Sequence, residues 1–216
     1  MKAVVLDFDG VIADTQQLNF EVNKTTFQEY GIELGLQEYI DIWVSPQVGK
    51  EGIPYFVKLR GLGFNIDEFK AAREKRYESL YMERAVPMPG ALELIALFKS
   101  KNVPLAIVSS NYRVRLELFL KKYSFEDDFR FIIGSRDAKR RKPFPDPYLA
   151  AAKRLGLKPA EILVFEDADT GVQSAKRAGC SVIAVPNSFT EKGDFSLADL
   201  VVKSLKEVDE SVLSKF

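Results

Sequence analysis

The chain has 216 residues, 46% of them hydrophobic, and a formal net charge of zero. That length allows one globular domain with a full core, or a core plus an insert, and the balanced charge offers no general attraction for nucleic acid or an anionic membrane. There is no histidine and 1 cysteine, Cys180, which excludes Ser-His-Asp and Cys-His catalysis, His-ligated metals and an internal disulfide. Acid–base chemistry is left to carboxylates, Lys, Tyr or Cys. Cys180, beside Gly179, reads as a small buried apolar group. No apolar run approaches the ~18 residues of a spanning helix, no signal peptide precedes the strand pattern that starts at Lys2, and the cysteine usage suits a reducing cytoplasm.

Residues 2–6 form a short apolar, β-branched run that reads as a buried strand. Asp7-Phe8-Asp9-Gly10-Val11 follows at once, with Asp14-Thr15 just beyond. Residues 16–30 carry apolar positions at helical spacing, and Gly31 is a stop signal. Residues 36–44 suggest a second helix, and residues 50–60 a third, interrupted by Pro54. Asp67 is a candidate N-cap for a fourth helix running from residue 68 to about 84. No strand pattern appears between Thr15 and Val86, so this stretch reads as all-helical.

The pattern changes at the turn-rich junction Val86-Pro87-Met88-Pro89-Gly90. Beyond it, strands at 104–108, 131–133, 162–165 and 181–185 alternate with helices at 91–100, 113–123, 147–155 and 171–178. An edge strand at 200–202 and a short helix from Ser204 complete the chain. Such alternation predicts an α/β fold, a Rossmann-like parallel sheet with helices on both faces. The first strand belongs with the later ones. The domains are therefore a core of residues 1–14 and 87–216 and an inserted helical segment of residues 15–86, emerging beside the C-terminal ends of the strands. In open sheets of this kind ligands bind beyond those ends.

Four polar clusters lie there. Asp7 and Asp9 are two carboxylates close enough to repel unless a cation or a shared proton relieves them, and a hard divalent cation such as Mg2+ is the simplest relief. A polar turn is the alternative reading, because Asp and Gly are common turn residues. Ser109-Ser110-Asn111 supplies hydroxyls and backbone N–H groups at a strand-to-helix turn, either an anion site or a helix cap. Lys139, Arg140 and Arg141 read as a solvated basic face, whereas the prolines after Lys142 restrict where that side chain points, toward a phosphate or a nucleophile. Glu166-Asp167-Ala168-Asp169 ends a buried strand with three carboxylates, a costly arrangement without a counter-ion. Asp169 suits a helix cap, and Glu166 and Asp167 are the better metal ligands.

Asp7-Phe8-Asp9-Gly10-Val11, Ser109, Lys142-Pro143 and Glu166-Asp167 resemble, in order and each after a predicted strand, the four motifs of the haloacid dehalogenase superfamily. Lys142-Pro143-Phe144-Pro145-Asp146, Phe165-Glu166-Asp167-Ala168 and Pro87-Met88-Pro89-Gly90 bring the likeness nearest to the phosphoglycolate phosphatase and β-phosphoglucomutase branch, which carries a helical cap. The resemblance covers nearly the whole chain. It implies Asp7 as nucleophile, and Asp9 as acid and base with its backbone carbonyl on Mg2+. It further implies Ser109 and Lys142 around the substrate phosphate, and Asp7, Glu166 and Asp167 in the metal shell; Ser110 and Asn111, at the same turn as Ser109, are expected at the phosphate with them. Asn19, Lys50 and Arg76 fall near cap positions that contact substrate in the mutase.

Asp9 argues against dehalogenation, because family dehalogenases lack the second aspartate. Asn19 stands where the mutase has a histidine, which weakens the mutase reading. The expectation is a cytoplasmic Mg2+-dependent phosphoric monoester hydrolase acting on a small phosphorylated metabolite. It has no nucleic-acid or membrane partner and is a monomer or weak homodimer. The alternatives are a sugar phosphomutase and, from a different class, a catalytically silent binding module. The last is disfavoured because every motif position is filled.

Overall fold

The computed structural model describes residues 1–44 and 52–216. In chain order its strands and α-helices are β1 (Ala3–Leu6), β2 (Ala13–Asp14), α1 (Gln16–Gln28), α2 (Leu36–Tyr39), α3 (Gly52–Leu59), α4 (Ile66–Arg84), β3 (Val86–Pro87), α5 (Ala91–Ser100) and β4 (Leu105–Val108). There follow α6 (Arg113–Lys122), β5 (Ile132–Ile133), α7 (Asp146–Leu155), β6 (Ile162–Glu166), α8 (Asp169–Ala178), β7 (Ser181–Ala184), β8 (Leu200–Val201) and α9 (Glu210–Leu213). The chain divides into two compact units, Met1–Asp14 with Val86–Phe216, and Thr15–Ala85. No helix among the described residues is long and apolar enough to cross a membrane.

The first unit is built on a six-stranded sheet of order β5-β4-β1-β6-β7-β8, and every neighbouring pair in it is parallel. The earliest strand is thus internal: Val5 pairs with Ala106 on one side and Val164 on the other. Buried on both faces, β1, β4 and β6 need continuous apolar sequence, and all of their residues except Glu166 supply it. Side chains alternate between the faces. Val5, Ala106, Val164 and Val182 pack with Tyr148, Ala151, Val172 and Ala175 of α7 and α8. Phe165 points the other way and meets Phe98 of α5 edge-on, with ring centroids 6.0 Å apart. Helices therefore cover both faces, and the chain reverses its direction of travel across the sheet at β1, the switch point where a crevice opens beyond the strand ends.

Two elements differ from the sequence expectation in this unit. Val86–Pro87 is not only a turn: it pairs antiparallel with Ala13–Asp14 as a two-stranded ribbon. Ala168, not Asp169, is the cap residue of α8, and the Asp169 carboxylate accepts instead from the N–H of Thr170, at 2.6 Å.

Every regular element among the described residues of the second unit is a helix. α2 runs on into a π-helical turn, Ile40–Val44, so the stretch expected as one helix changes hydrogen-bond pitch midway. Phe27 of α1 anchors the interior, with ring centroids 4.3 Å from Phe69 of α4 and 4.6 Å from Phe56 of α3. Fully burying such rings contributes ~2–3 kcal/mol each. Pro54 lies in the first turn of α3, where a missing N–H costs little. α4 begins two residues before the expected point. Its cap is Asn65 rather than Asp67, and Asn65 Oδ1 accepts from the N–H groups of Asp67 at 3.0 Å and Glu68 at 3.3 Å.

Candidate active site

β1 carries Asp7 out of the sheet between β4 and β6. The chain then folds back tightly. The N–H groups of Ile12 and Ala13 both donate to the Phe8 carbonyl at 2.9 Å, and Gly10 adopts φ +83°. A side chain is excluded at Gly10, because a Cβ would lie 2.1 Å from Asp167 Oδ2 and 2.7 Å from Asn187 Nδ2. The turn therefore presses its backbone against the Asp167 carboxylate, and its glycine serves both conformation and close approach.

Asp7, Glu166 and Asp167 each present an oxygen within 4.8 Å of one another, and all three are buried. Lys142 lies among them. Its ammonium donates to Asp7 Oδ1 at 2.8 Å, Glu166 Oε1 at 2.6 Å and the Val108 carbonyl at 3.1 Å, which engages all three N–H donors of a lysine. The Lys142–Pro143 peptide is cis. Tyr148 of α7, fully buried, donates its hydroxyl to Glu166 Oε1. Glu166 Oε2 is buried with no hydrogen-bond partner. Asp167 Oδ2 accepts from Asn187 Nδ2 at 2.9 Å.

The electrostatics follow from the crowding. Burial, reinforced by the Asp7 charge, pushes the Glu166 carboxyl up to about 7, against the pull of Lys142 and Tyr148. Burial and the charges of Asp7 and Glu166 raise Asp167 well above the usual carboxylate range. Burial alone would lower Lys142, but the charges of Asp7 and Glu166 outweigh it and hold the ammonium protonated above its ordinary range. Burial, then the Glu166 charge, raises the Tyr148 phenol. Three carboxylates against one ammonium leave an excess of negative charge. Together with the orphaned Glu166 oxygen and an all-oxygen donor set, this is the chemistry of a hard divalent cation site, and the residues fit Mg2+.

A second group gathers around Asp9. Ser109 Oγ donates to Asp9 Oδ2 at 3.3 Å, and Asn111 Nδ2 donates to both Asp9 oxygens at 3.2 and 3.3 Å. Asn111 also turns back, accepting at Oδ1 from the N–H of Tyr112 at 2.8 Å. Ser110 is exposed at the same turn. In the helical unit, Asn19 donates to the Thr15 carbonyl at 3.0 Å and accepts from Arg73 Nη2 at 2.7 Å, while the Arg73 guanidinium lies 5.0 Å from the Tyr77 ring centroid. Arg76 is engaged elsewhere, on Thr26 Oγ1 at 2.8 Å and on the Glu29 carboxylate. Lys50 lies outside the described residues.

Two contributors to the cluster went unread in the sequence, Tyr148 and Asn187, as did Arg73, the partner of Asn19 within the helical unit. Asn187 was findable, because it follows the buried run of β7 as the other polar clusters follow theirs. Tyr148 carries no such signal, since a tyrosine at helical spacing reads as core. Arg73 stands three residues from Arg76 on the same helix, and spacing alone does not choose between them.

The family model described as "Haloacid dehalogenase-like hydrolase" matches residues 4–185. The chain belongs to this hydrolase family. Over 213 residues it is 32% identical to YhcW of Bacillus subtilis, covering 99% of this chain and 96% of that protein. A phosphorylated carbohydrates phosphatase of Thermotoga maritima is 30% identical over 83% of this chain and 82% of its own length. Among solved structures, CbbY from Rhodobacter sphaeroides in complex with phosphate superposes with a TM-score of 0.84 at 24% identity, covering 99% of both chains, a likeness of fold.

Proposed function

We propose that this haloacid dehalogenase-like hydrolase is a Mg2+-dependent phosphatase of a small phosphorylated metabolite. The observation that carries the reading is the buried cluster of Asp7, Lys142, Glu166 and Asp167, in which a carboxylate at the switch point is held by an ammonium beside two further carboxylates. Phosphoryl transfer requires in-line positioning and charge neutralisation more than special reagents.

In this mechanism an Asp7 carboxylate oxygen attacks phosphorus and the ester P–O bond breaks. Asp9 gives its proton to the leaving oxygen, releasing an alcohol and leaving an aspartyl-phosphate on Asp7. Asp9, now ionised, takes a proton from water as that water attacks phosphorus. The bond to Asp7 then breaks, returning the carboxylate and releasing phosphate. Ser109 and Asn111, which bond Asp9, hold its carboxyl in one orientation for both transfers. Lys142 fixes Asp7 and offsets the charge that gathers on the phosphoryl oxygens. Asp7, Glu166, Asp167 and the Asp9 carbonyl would hold Mg2+, which supplies charge neutralisation when bound. The helical unit, Thr15–Ala85, serves in this reading as the cap that selects substrate, and Arg73 is its cation for a polar or anionic group.

The test is phosphate release from a panel of phosphorylated carbohydrates and glycerol phosphates. Activity is expected with Mg2+, lost with EDTA and restored by excess Mg2+. Turnover that survives exhaustive chelation overturns the metal assignment, and no release from any phosphomonoester overturns the phosphatase. Glucose 1-phosphate, with and without glucose 1,6-bisphosphate, separates the phosphomutase. Asn19 supplies no titratable group to delay attack by water, so free phosphate is expected rather than bisphosphate-dependent glucose 6-phosphate.

A further inference from the structure

We propose that the Tyr148 hydroxyl is a positioning group that fixes which oxygen of Glu166 is offered to the cation. The inference rests on the metal reading above. Glu166 Oε1 receives two donors, Lys142 Nζ at 2.6 Å and the Tyr148 hydroxyl. Oε2 receives none, although it is fully enclosed. An ionised carboxylate oxygen buried without a partner is costly, and a ligated cation removes the cost. The division of labour between the two oxygens is therefore the feature to explain.

Lys142 cannot fix it alone. The terminal torsion of a glutamate is broad and nearly two-fold, and the lysine shares its donors with Asp7 and Val108. Tyr148 adds what the lysine lacks. Its ring is fully buried among Val5, Ala106 and Val164, so its hydroxyl projects from a rigid base. The same ring lies beneath the ammonium, with Lys142 Nζ 5.4 Å from its centroid. Gly171 closes the remaining side: a Cβ there would fall 2.1 Å from each Glu166 oxygen, so the carboxylate rests on the glycine backbone. With Oε1 doubly bonded and one flank blocked by Gly171, Oε2 is the oxygen left for a metal. Partners that orient a ligand in this way typically contribute 10–100-fold to metal affinity or activity.

Tyr148→Phe keeps the ring under Lys142 and deletes only the hydroxyl. The experiment is a Mn2+ titration of metal-free enzyme without substrate, followed by electron paramagnetic resonance, together with thermal unfolding of the metal-free proteins. Wild type is expected to bind one Mn2+ with saturation and Tyr148→Phe to bind it about tenfold more weakly. Equal Mn2+ affinity in the two proteins overturns the inference, even if Tyr148→Phe melts lower, because a purely structural hydroxyl would change the melting alone. No saturable Mn2+ binding by wild type overturns the metal reading itself, a distinct failure. Should Tyr148→Phe not fold, 4-fluorophenylalanine at this position fills the hydroxyl's volume without donating, and the same two affinities decide.

Discussion

Lys142→Met tests the electrostatic account of the site apart from any assay of turnover. The lysine side chain is 7% exposed and its Glu166 partner 1%, so methionine fills the stem's volume while leaving Asp7, Glu166 and Asp167 without their cation. Removing one member of a buried ion pair costs about 3–5 kcal/mol. At about 2–4 °C per kcal/mol for a chain of this size, the melting point should fall by about 6–20 °C. The sign of the pH dependence follows from Glu166. Burial raises its folded carboxyl to about 7, above the unfolded value, so the folded state binds the extra proton. Stability linked to this group is present at low pH and lost as pH rises through that value. Without Lys142 the carboxyl moves higher still, so the deficit of the variant should be largest near pH 8 and shrink toward about pH 5.5. Mg2+ should also recover part of it. Circular dichroism melts of metal-free protein at the two pH values are the assay. A variant melting within about 2 °C of wild type at the higher pH, or a deficit that widens on acidification, refutes the reasoning.

Asp7→Asn keeps the side-chain shape but removes the nucleophile, so turnover should drop by at least about a thousandfold while the fold persists. Near wild-type phosphate release, in protein shown by mass to be free of deamidation, would remove Asp7 from that role. Gly171→Ala should destabilise by about 1–3 kcal/mol and weaken Mn2+ binding, despite alanine's better helix propensity, because the new Cβ would meet Glu166 Cδ at 2.0 Å; a variant more stable than wild type contradicts the packing described. Arg73→Ala should raise KM about tenfold with kcat little changed, whereas Arg76→Ala, whose guanidinium serves Thr26 and Glu29, should leave KM within about twofold. The reverse pattern would assign the substrate contact to Arg76.

The sheet was legible because a strand buried on both faces leaves a continuous apolar run, and 3–6, 105–108 and 162–165 each end at polar residues that a core would not tolerate without function. Lys142 was picked out from a basic stretch by its prolines, and the structure places its ammonium on Asp7 and Glu166. Partners were harder to read. Asn111 suits a phosphate or a cap equally well on paper, yet its amide bonds Asp9. Tyr148 has the spacing of a core residue and is one, and only its hydroxyl departs from that role. Pairing of Val86–Pro87 with Ala13–Asp14 is invisible because two residues, one of them proline, carry no period. Asn65 and Asp67 are equivalent cap types two residues apart, and the backbone entering the helix decides between them.

The placement of the earliest strand inside the sheet makes assembly a matter of waiting. The neighbours of Ala3–Leu6 are Leu105–Val108 and Ile162–Glu166, and both are made long after it. At about 5–20 residues per second, a ribosome delivers the whole helical insert before either neighbour exists. Throughout that interval a fully apolar strand has both hydrogen-bonding edges unpaired, the configuration most prone to wrong pairing and a natural ligand for a chaperone. Asp7 spends the same interval without Lys142 or Glu166. A nascent chain halted before Ile162 therefore lacks both the second neighbour of its first strand and the two carboxylates that gather beside Asp7.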